Sequence, residues 1–181
     1  MSVNSISILL IAIGIASDNL LFAGSNGRDF QITKNGNSIL TLLLLFILQQ
    51  EMLLCGNKFA LASFNVETSG KWKPLLVLIT IGIIMLYQCF NKDCTDENIS
   101  LKKMQLLHHA FSSSLLVLGC SFAFHILTQS QYRFHLYLTP LLLLFIVIGL
   151  LLGILDKTKY IRWLHYIGTI CFVFGLILLL L

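Results

Sequence analysis

Asp18 is the residue whose position in this sequence most strongly indicates chemistry. It lies near the end of a long apolar run, with Asn19 directly after it. A charged side chain at the centre of a bilayer costs on the order of 2.5–3.5 kcal/mol on insertion scales, so such residues usually face a cavity or an ion path. The alternative is a protonated or amide-bonded Asp18 that holds two helices together, with Asn19 as its local partner.

Three further polar residues follow one another in the next apolar run: Gln49, Gln50 and Glu51. Successive side chains point about 100° apart around an α-helix, so the three cannot share one face. We expect Gln49 and Glu51 to flank one face and Gln50 to point elsewhere. If the helix continues past Gly56, Glu51 lies near its centre; if it stops there, Glu51 lies near the outer interface.

A third polar group, Ser112–Ser114, lies in another apolar run, one turn after His108 and His109. The two histidines could move protons or bind a metal, or be ordinary interfacial residues. Carboxylate, amide and hydroxyl oxygens suit hard divalent ions such as Mn²⁺ or Mg²⁺. The sequence therefore suggests a metal site that draws its ligands from these residues: Asp18, Asn19, Gln49, Glu51 and Ser114.

The sequence contains no motif typical of redox sites, of common enzyme classes or of nucleic-acid binding. The five cysteines form no CxxC pair, so they are interpreted as helix-packing residues. The motifs GxSxG, HExxH, GxGxxG and the Walker lysine are missing. The net charge of +4 forms no basic stripe with interleaved aromatics. We expect neither an enzyme nor a nucleic-acid-binding protein, and no bound cofactor.

Composition indicates the elements that must position these residues. The chain is 57% hydrophobic and 11% charged over 181 residues, whereas a soluble domain carries about 25% charged residues. Too little polar surface is available to cover a domain in water, so the lipid bilayer is the expected partner. The predicted fold class is an all-α integral membrane protein.

Six apolar segments reach the roughly 17–25 residues that span a membrane. Their approximate bounds are Ser5–Ala23, Ser38–Gly56 (with an extension to Ala62 left open), Pro74–Phe90, Met104–Leu127, Tyr137–Leu155 and Trp163–Leu181. Pro74 and Pro140 are expected in the first turn of their helices, where a missing N–H costs nothing.

The six segments are interpreted as one membrane domain, residues 1–181, made of two three-helix halves. Residues 1–90 form the first half, residues 104–181 the second, and residues 91–103 the connection. An odd number of helices gives the second half the opposite polarity, as in the inverted repeats of secondary transporters, whose substrate site lies near the midplane.

Loop charge predicts the orientation in the cell membrane. The loops after helices one, three and five carry eight Lys and Arg residues, against four on the other side. By the positive-inside rule the first set of loops is cytoplasmic and both termini are extracytoplasmic.

Sparse motifs along the whole chain resemble the manganese efflux pump family (the MntP type), within the LysE-like exporter superfamily. Gly14–Leu21 keeps the glycine and aspartate of that family's Gly-x-Ser-x-Asp-Ala-Phe-Ala motif. Gly82–Phe90 keeps the frame of Gly-Gly-Arg-Met-x-x-Glu-x-Phe. The family's second-helix glutamate, seven residues before a glycine, falls on Gln49, with Glu51 two residues away as a substitute.

The resemblance implies export of a divalent cation, manganese first, through a midplane site around Asp18. Three departures bear on this substrate: Ile84 stands for the family's arginine, Gln88 for its glutamate and Ser114 for its second aspartate. Two alternatives therefore stay open. One is a non-transporting membrane scaffold with a degenerate site, and the other is an exporter of an organic cation or amino acid. The coupling ion and a homo-oligomeric state are also left open.

Overall fold

The described part of the chain is entirely built from α-helices and their short connections. The computed structural model describes residues 5–33, 37–63, 72–90, 103–128 and 131–180, and these residues contain no β-strand. The seven helices are α1 (Ser5–Ser17), α2 (Asn19–Thr33), α3 (Asn37–Ser63), α4 (Trp72–Phe90), α5 (Lys103–Thr128), α6 (Gln131–Ile154) and α7 (Thr158–Leu180).

Six candidate membrane spans follow from these helices, which confirms the predicted all-α fold class with six membrane-spanning helices. α1 and α2 together make the first span, Ser5–Gln31, and each later helix makes one. The first span continues well beyond the expected end at Ala23, so Asp18 lies near its middle rather than near its end. The second span runs past Gly56, which makes Glu51 central along α3.

The prediction that Pro140 lies in a first turn is wrong, because α6 begins at Gln131 and contains Pro140 in its interior. An interior proline costs a helix about 3 kcal/mol in water. Here the residues before it are held by the core. Phe134 and Leu138 are buried, and the Phe134 ring stacks on Phe124 of α5 with 4.6 Å between centroids. Pro74 does lie in the first turn of α4.

Two spans lie at the centre of the bundle. In the most apolar stretch of the first span 72% of the residues are buried, and in that of α5 50%, against 28–33% in the other four. α1 packs on α7 and α6, α2 packs on α6, and α5 packs on α3 and α4. The outer helices present apolar side chains such as Leu40, Ile47 and Phe174 at the surface, as lipid contact requires.

Small residues allow the closest of these helix contacts. A Cβ at Gly27 would lie 3.1 Å from the Cα of Gly153, and one at Gly149 would lie 2.7 Å from the Cβ of Ala23. Helices in membranes approach this closely where small residues line both backbones. The α2–α6 contact fixes the position of the segment that follows Asp18.

Candidate functional site

The candidate site is centred on a break in the first membrane span. α1 ends at Ser17, α2 begins at Asn19, and Asp18 forms the turn between them. The Asp18 amide donates to the Ile15 carbonyl at 3.2 Å, and the Ser17 hydroxyl donates to the Gly14 carbonyl at 2.6 Å. A serine that bonds back to its own helix competes with the backbone ladder and often bends the helix. The sequence Ser17–Asp18 thus accounts locally for the break.

The Asp18 carboxyl group is enclosed but unsatisfied. Its side chain is 1% exposed, and neither carboxylate oxygen has a hydrogen-bond partner in the described structure. Buried polar groups in proteins almost always have partners, and an exception calls for an explanation such as an unseen ion or a functional role. A proton would remove the buried charge, and a bound cation would also give the oxygens a partner.

Asn19 belongs to a closed polar network on the side of α3 and α5. Its Nδ2 donates to Gln49 Oε1 at 3.2 Å, and Gln49 Nε2 donates back to Asn19 Oδ1 at 2.6 Å. Ser113 Oγ lies 3.2 Å from both Gln49 Nε2 and Asn19 Oδ1. All three side chains are buried. The network ties the start of α2 to α3 and α5, and it supplies oxygens one residue from Asp18.

The break packs against α7 on its other side. A Cβ at Gly168 would overlap the Ser17 side chain, so the end of α1 lies directly on this glycine. Thr169 follows Gly168, and its Oγ1 lies 3.1 Å from Cys89 Sγ at the end of α4. The residue before Asp18 therefore packs beside the Cys89–Thr169 contact, and these residues form the neighbourhood of Asp18 on this side.

One more polar side chain on α4 is unsatisfied. Gln88, next to Cys89, has a buried Oε1 without a hydrogen-bond partner in the described part of the chain. This is the position where the resemblance places a glutamate.

The structure brings together some of the predicted ligands and separates others. Asp18 and Asn19 are adjacent, and Gln49 contacts Asn19. Ser114 is buried, but its hydroxyl donates to the Ala110 carbonyl at 2.8 Å on its own helix. Glu51 lies on the exposed face of α3, whereas Gln49 points inward. Gln49 and Glu51 therefore do not serve one site in this arrangement.

Two residues of the neighbourhood were not identified from the sequence: Cys89 and Thr169. Their chain positions are far from Asp18 and from each other, and no motif links them. Ser113, grouped with Ser114 in the sequence, is the serine that joins the amide network. The side chains of His108 and His109 lie outside the described residues.

A second polar cluster lies further along α3. Ser121 Oγ donates to the Leu53 carbonyl at 2.7 Å and lies 3.0 Å from Asn57 Oδ1, while Asn57 Nδ2 contacts His135 Nε2. These groups satisfy one another and hold α3 to α5 and α6. Because these polar atoms are bonded to one another, we interpret the cluster as a structural contact between the helices.

The donor set around Asp18 is mixed. Within the described ranges, no three His, Cys, Asp or Glu side chains are grouped closely enough to hold a metal ion. An ion at Asp18 could therefore take at most one further ligand of these four types, and its other ligands would be amides, hydroxyls, backbone carbonyls or water.

Comparisons of the chain with protein-family models, with curated proteins and with solved structures find no match.

Proposed function

We propose that this protein is a membrane transporter that exports a divalent cation through a site around Asp18. The observation that carries the proposal is the Asp18 carboxylate, which is buried at a helix break in the first span and whose two oxygens have no hydrogen-bond partner in the described part of the chain. Discontinuous membrane helices with polar groups at the break are the usual construction of ion sites in secondary transporters. Intramembrane carboxylates mark ion pathways by default, because their burial is costly.

The resemblance to manganese efflux pumps makes Mn²⁺ the first ion to test. Asp18 would be the main ligand, with Asn19 and Gln49 supplying neutral amide oxygens. Opening the Asn19–Gln49 pair would free one oxygen from each side chain for the ion. Transport requires an ion that binds and then leaves, and a site with one carboxylate and neutral oxygens is weak enough to release it.

Helix packing supports the arrangement as two inverted halves. The first span packs on the fifth and sixth spans, and the fourth span packs on the second and third. If the first, second and third spans are exchanged for the fourth, fifth and sixth, the contacts of the first span become those of the fourth. In such an arrangement the first and fourth spans, which are the most buried, would lie at the interface between the halves, where substrate sites of inverted-repeat transporters lie.

The proposed setting is the cell membrane, with both termini extracytoplasmic and the loops after the first, third and fifth spans in the cytoplasm. This orientation rests on the distribution of Lys and Arg residues. It gives export a direction, from the basic side to the side of the termini.

The test is manganese resistance in a host that lacks its own manganese exporter. Wild-type protein is expected to lower cellular manganese and restore growth, and Asp18→Ala and Asp18→Asn are expected to abolish both effects. Asp156→Asn is the matched control, because it makes the same chemical change at an exposed residue. Immunoblots of membranes check that each variant is present at wild-type level.

Full resistance with Asp18→Asn would remove Asp18 from the mechanism. Equal metal content in cells with and without the gene, across several cations, would favour the non-transporting scaffold. A change in exported amines or amino acids without any change in metals would favour the organic-solute exporter.

A further inference from the structure

The neighbourhood of Asp18 holds a second group that can carry negative charge. A divalent cation in a low-dielectric interior is stable only when its charge is compensated. Asp18 supplies one negative charge, and Asn19 and Gln49 supply none. The resemblance offers Ser114 and Gln88 where carboxylates would stand, and both are neutral. A thiol becomes an anionic ligand when it binds a metal.

We propose that Cys89 is a ligand of the transported ion together with Asp18, and that the substrate is a thiophilic divalent cation such as Zn²⁺, ahead of Mn²⁺. This inference rests on the proposed function and sharpens its substrate class. Thiolate ligands select zinc and other soft ions, whereas carboxylate and carbonyl oxygens suit Mn²⁺ and Mg²⁺. A site with one carboxylate and one thiolate matches the two positive charges of such an ion.

Local contacts orient the Cys89 thiol. The Thr169 hydroxyl donates its one proton to the His165 carbonyl, with Oγ1 and O 3.1 Å apart. The Cys89–Thr169 contact of 3.1 Å must then use the thiol proton, so Cys89 is the donor. The Tyr166 hydroxyl donates to the Cys89 carbonyl at 3.2 Å and holds the end of α4 against α7. The sulfur lone pairs have no donor directed at them by these contacts.

A second, independent observation indicates a ligand at this place. The two carboxylate oxygens of Asp18 are buried and have no hydrogen-bond partner among the described residues. Asp18 immediately follows Ser17, which packs on Gly168 beside Thr169. An ion between the carboxylate and the sulfur would satisfy both groups.

Binding of the ion displaces the thiol proton of Cys89, and release of the ion lets the proton return. The S–H bond of Cys89 breaks, a metal–sulfur bond forms, and the proton leaves to water. On release the metal–sulfur bond breaks and the sulfur takes a proton back. One proton is therefore exchanged for each ion loaded at Cys89, in addition to any proton that Asp18 loses.

The test measures binding of Cd²⁺ and Mn²⁺ to the purified full-length protein in detergent, with Cd²⁺ as the thiophilic probe. Cys89→Ser is expected to lose the ultraviolet cadmium–thiolate band. Its Cd²⁺ affinity should fall by more than the roughly 10–100-fold that the loss of an outer-shell partner costs, while its Mn²⁺ affinity falls less. Asp18→Asn should weaken both ions. Cys55→Ser, a half-buried cysteine on α3, is the control and should bind both ions as the wild type does.

A second measurement uses only the wild-type protein, so it does not depend on the folding of a variant. In wild-type protein, Cd²⁺ should slow alkylation of Cys89 by a maleimide, read by peptide mass spectrometry, and leave the rate at Cys55 unchanged. Mn²⁺ should protect Cys89 far less.

The failures of the two ideas are distinguishable. Wild-type Cd²⁺ and Mn²⁺ binding in Cys89→Ser, with both lost in Asp18→Asn, would overturn the role of Cys89 and leave the cation site standing. Unprotected alkylation of Cys89 under saturating Cd²⁺ would overturn it as well. Binding of neither ion to the wild-type protein would overturn the cation site itself.

Discussion

Asn19 and Gln49 bond to each other twice across the contact between the first and second membrane spans. Gln49 Nε2 lies 2.6 Å from Asn19 Oδ1, and Asn19 Nδ2 lies 3.2 Å from Gln49 Oε1. The pair fixes Asn19 toward α3, and Gln49 is fully buried. Asp18, one residue earlier, has no such partner among the described residues. The two neighbours therefore differ: the Asn19 amide is hydrogen-bonded in this arrangement, and the Asp18 carboxylate is not.

The amide pair predicts an energetic coupling between Asn19 and Gln49. In a double-mutant cycle with Asn19→Leu and Gln49→Leu, the two changes should be less damaging together than the sum of each alone, because each single change strands a buried amide. Hydrogen bonds between membrane helices give coupling energies of about 0.6 kcal/mol on average and up to about 1.7 kcal/mol. Unfolding in mixed detergent micelles measures it. Additive effects within error would show that the pair is not formed.

The opposite directions of Gln49 and Glu51 predict opposite effects of the same substitution. Glu51→Leu removes a carboxylate from the exposed face near the centre of α3, where a charge costs on the order of 2.5–3.5 kcal/mol in lipid. We expect Glu51→Leu to raise thermal stability in lipid nanodiscs and to keep transport. Gln49→Leu should lower stability and impair transport, because it strands Asn19 and Ser113.

If Glu51→Leu lost transport at normal stability, Glu51 would be part of the transport site after all. A loss of stability would indicate that Glu51 contacts a second subunit in the membrane.

The close α2–α6 contact predicts that Gly153 cannot be enlarged. A Cβ at Gly153 would lie 2.9 Å from the carbonyl carbon of Gly24, and backbone cannot move aside cheaply. Gly153→Ala should therefore destabilise the fold by about 1–3 kcal/mol, as overpacking does. Gly119→Ala is the control, because its Cβ would meet only the flexible ends of Ile81 and Val77, at 3.0 and 3.6 Å. Size-exclusion profiles after graded heating compare the two, and equal melting of both would contradict the contact.

The end of α6 predicts a position that favours glycine. Asp156 has φ 52°, in the left-handed region. The Lys157 amide donates to the Leu152 carbonyl at 2.9 Å, and the Asp156 amide donates to the Gly153 carbonyl at 3.0 Å. This is the pattern of a Schellman cap, which glycine fills without strain.

Asp156→Val should cost roughly 1–2 kcal/mol, because a Cβ branch clashes in this region. Asp156→Asn should be nearly neutral, since asparagine tolerates it and the exposed Arg28–Asp156 ion pair, with Nε and Oδ1 3.5 Å apart, contributes about 0–1 kcal/mol. Thermal melting of the variants in detergent checks the order. A valine variant as stable as the asparagine variant would refute the cap.

The amino-acid sequence by itself determined the membrane class and the number of spans, and it identified Asp18 as a carboxylate inside an apolar span. These follow from local composition, because a stretch of about 20 apolar residues must leave water whatever its neighbours are. It also identified Gln49 and the serine run as polar groups inside apolar helices. It did not locate the helix ends: α2 contains polar residues that are buried in the bundle, such as Ser25 and Asn26, and α6 begins before the apolar run.

Tertiary structure alone decided which polar groups meet. A helix fixes only the angle between Gln49 and Glu51, and packing against α5 and the first span decided that Gln49 points inward. Cys89 and Thr169 lie beside the end of α1 because α1 and α4 both pack on α7, and no local pattern encodes that proximity. The sequence supplied a costly carboxylate in the membrane. The packing of separate helices decided that, among the described residues, Asn19 has a hydrogen-bond partner and the Asp18 carboxylate has none.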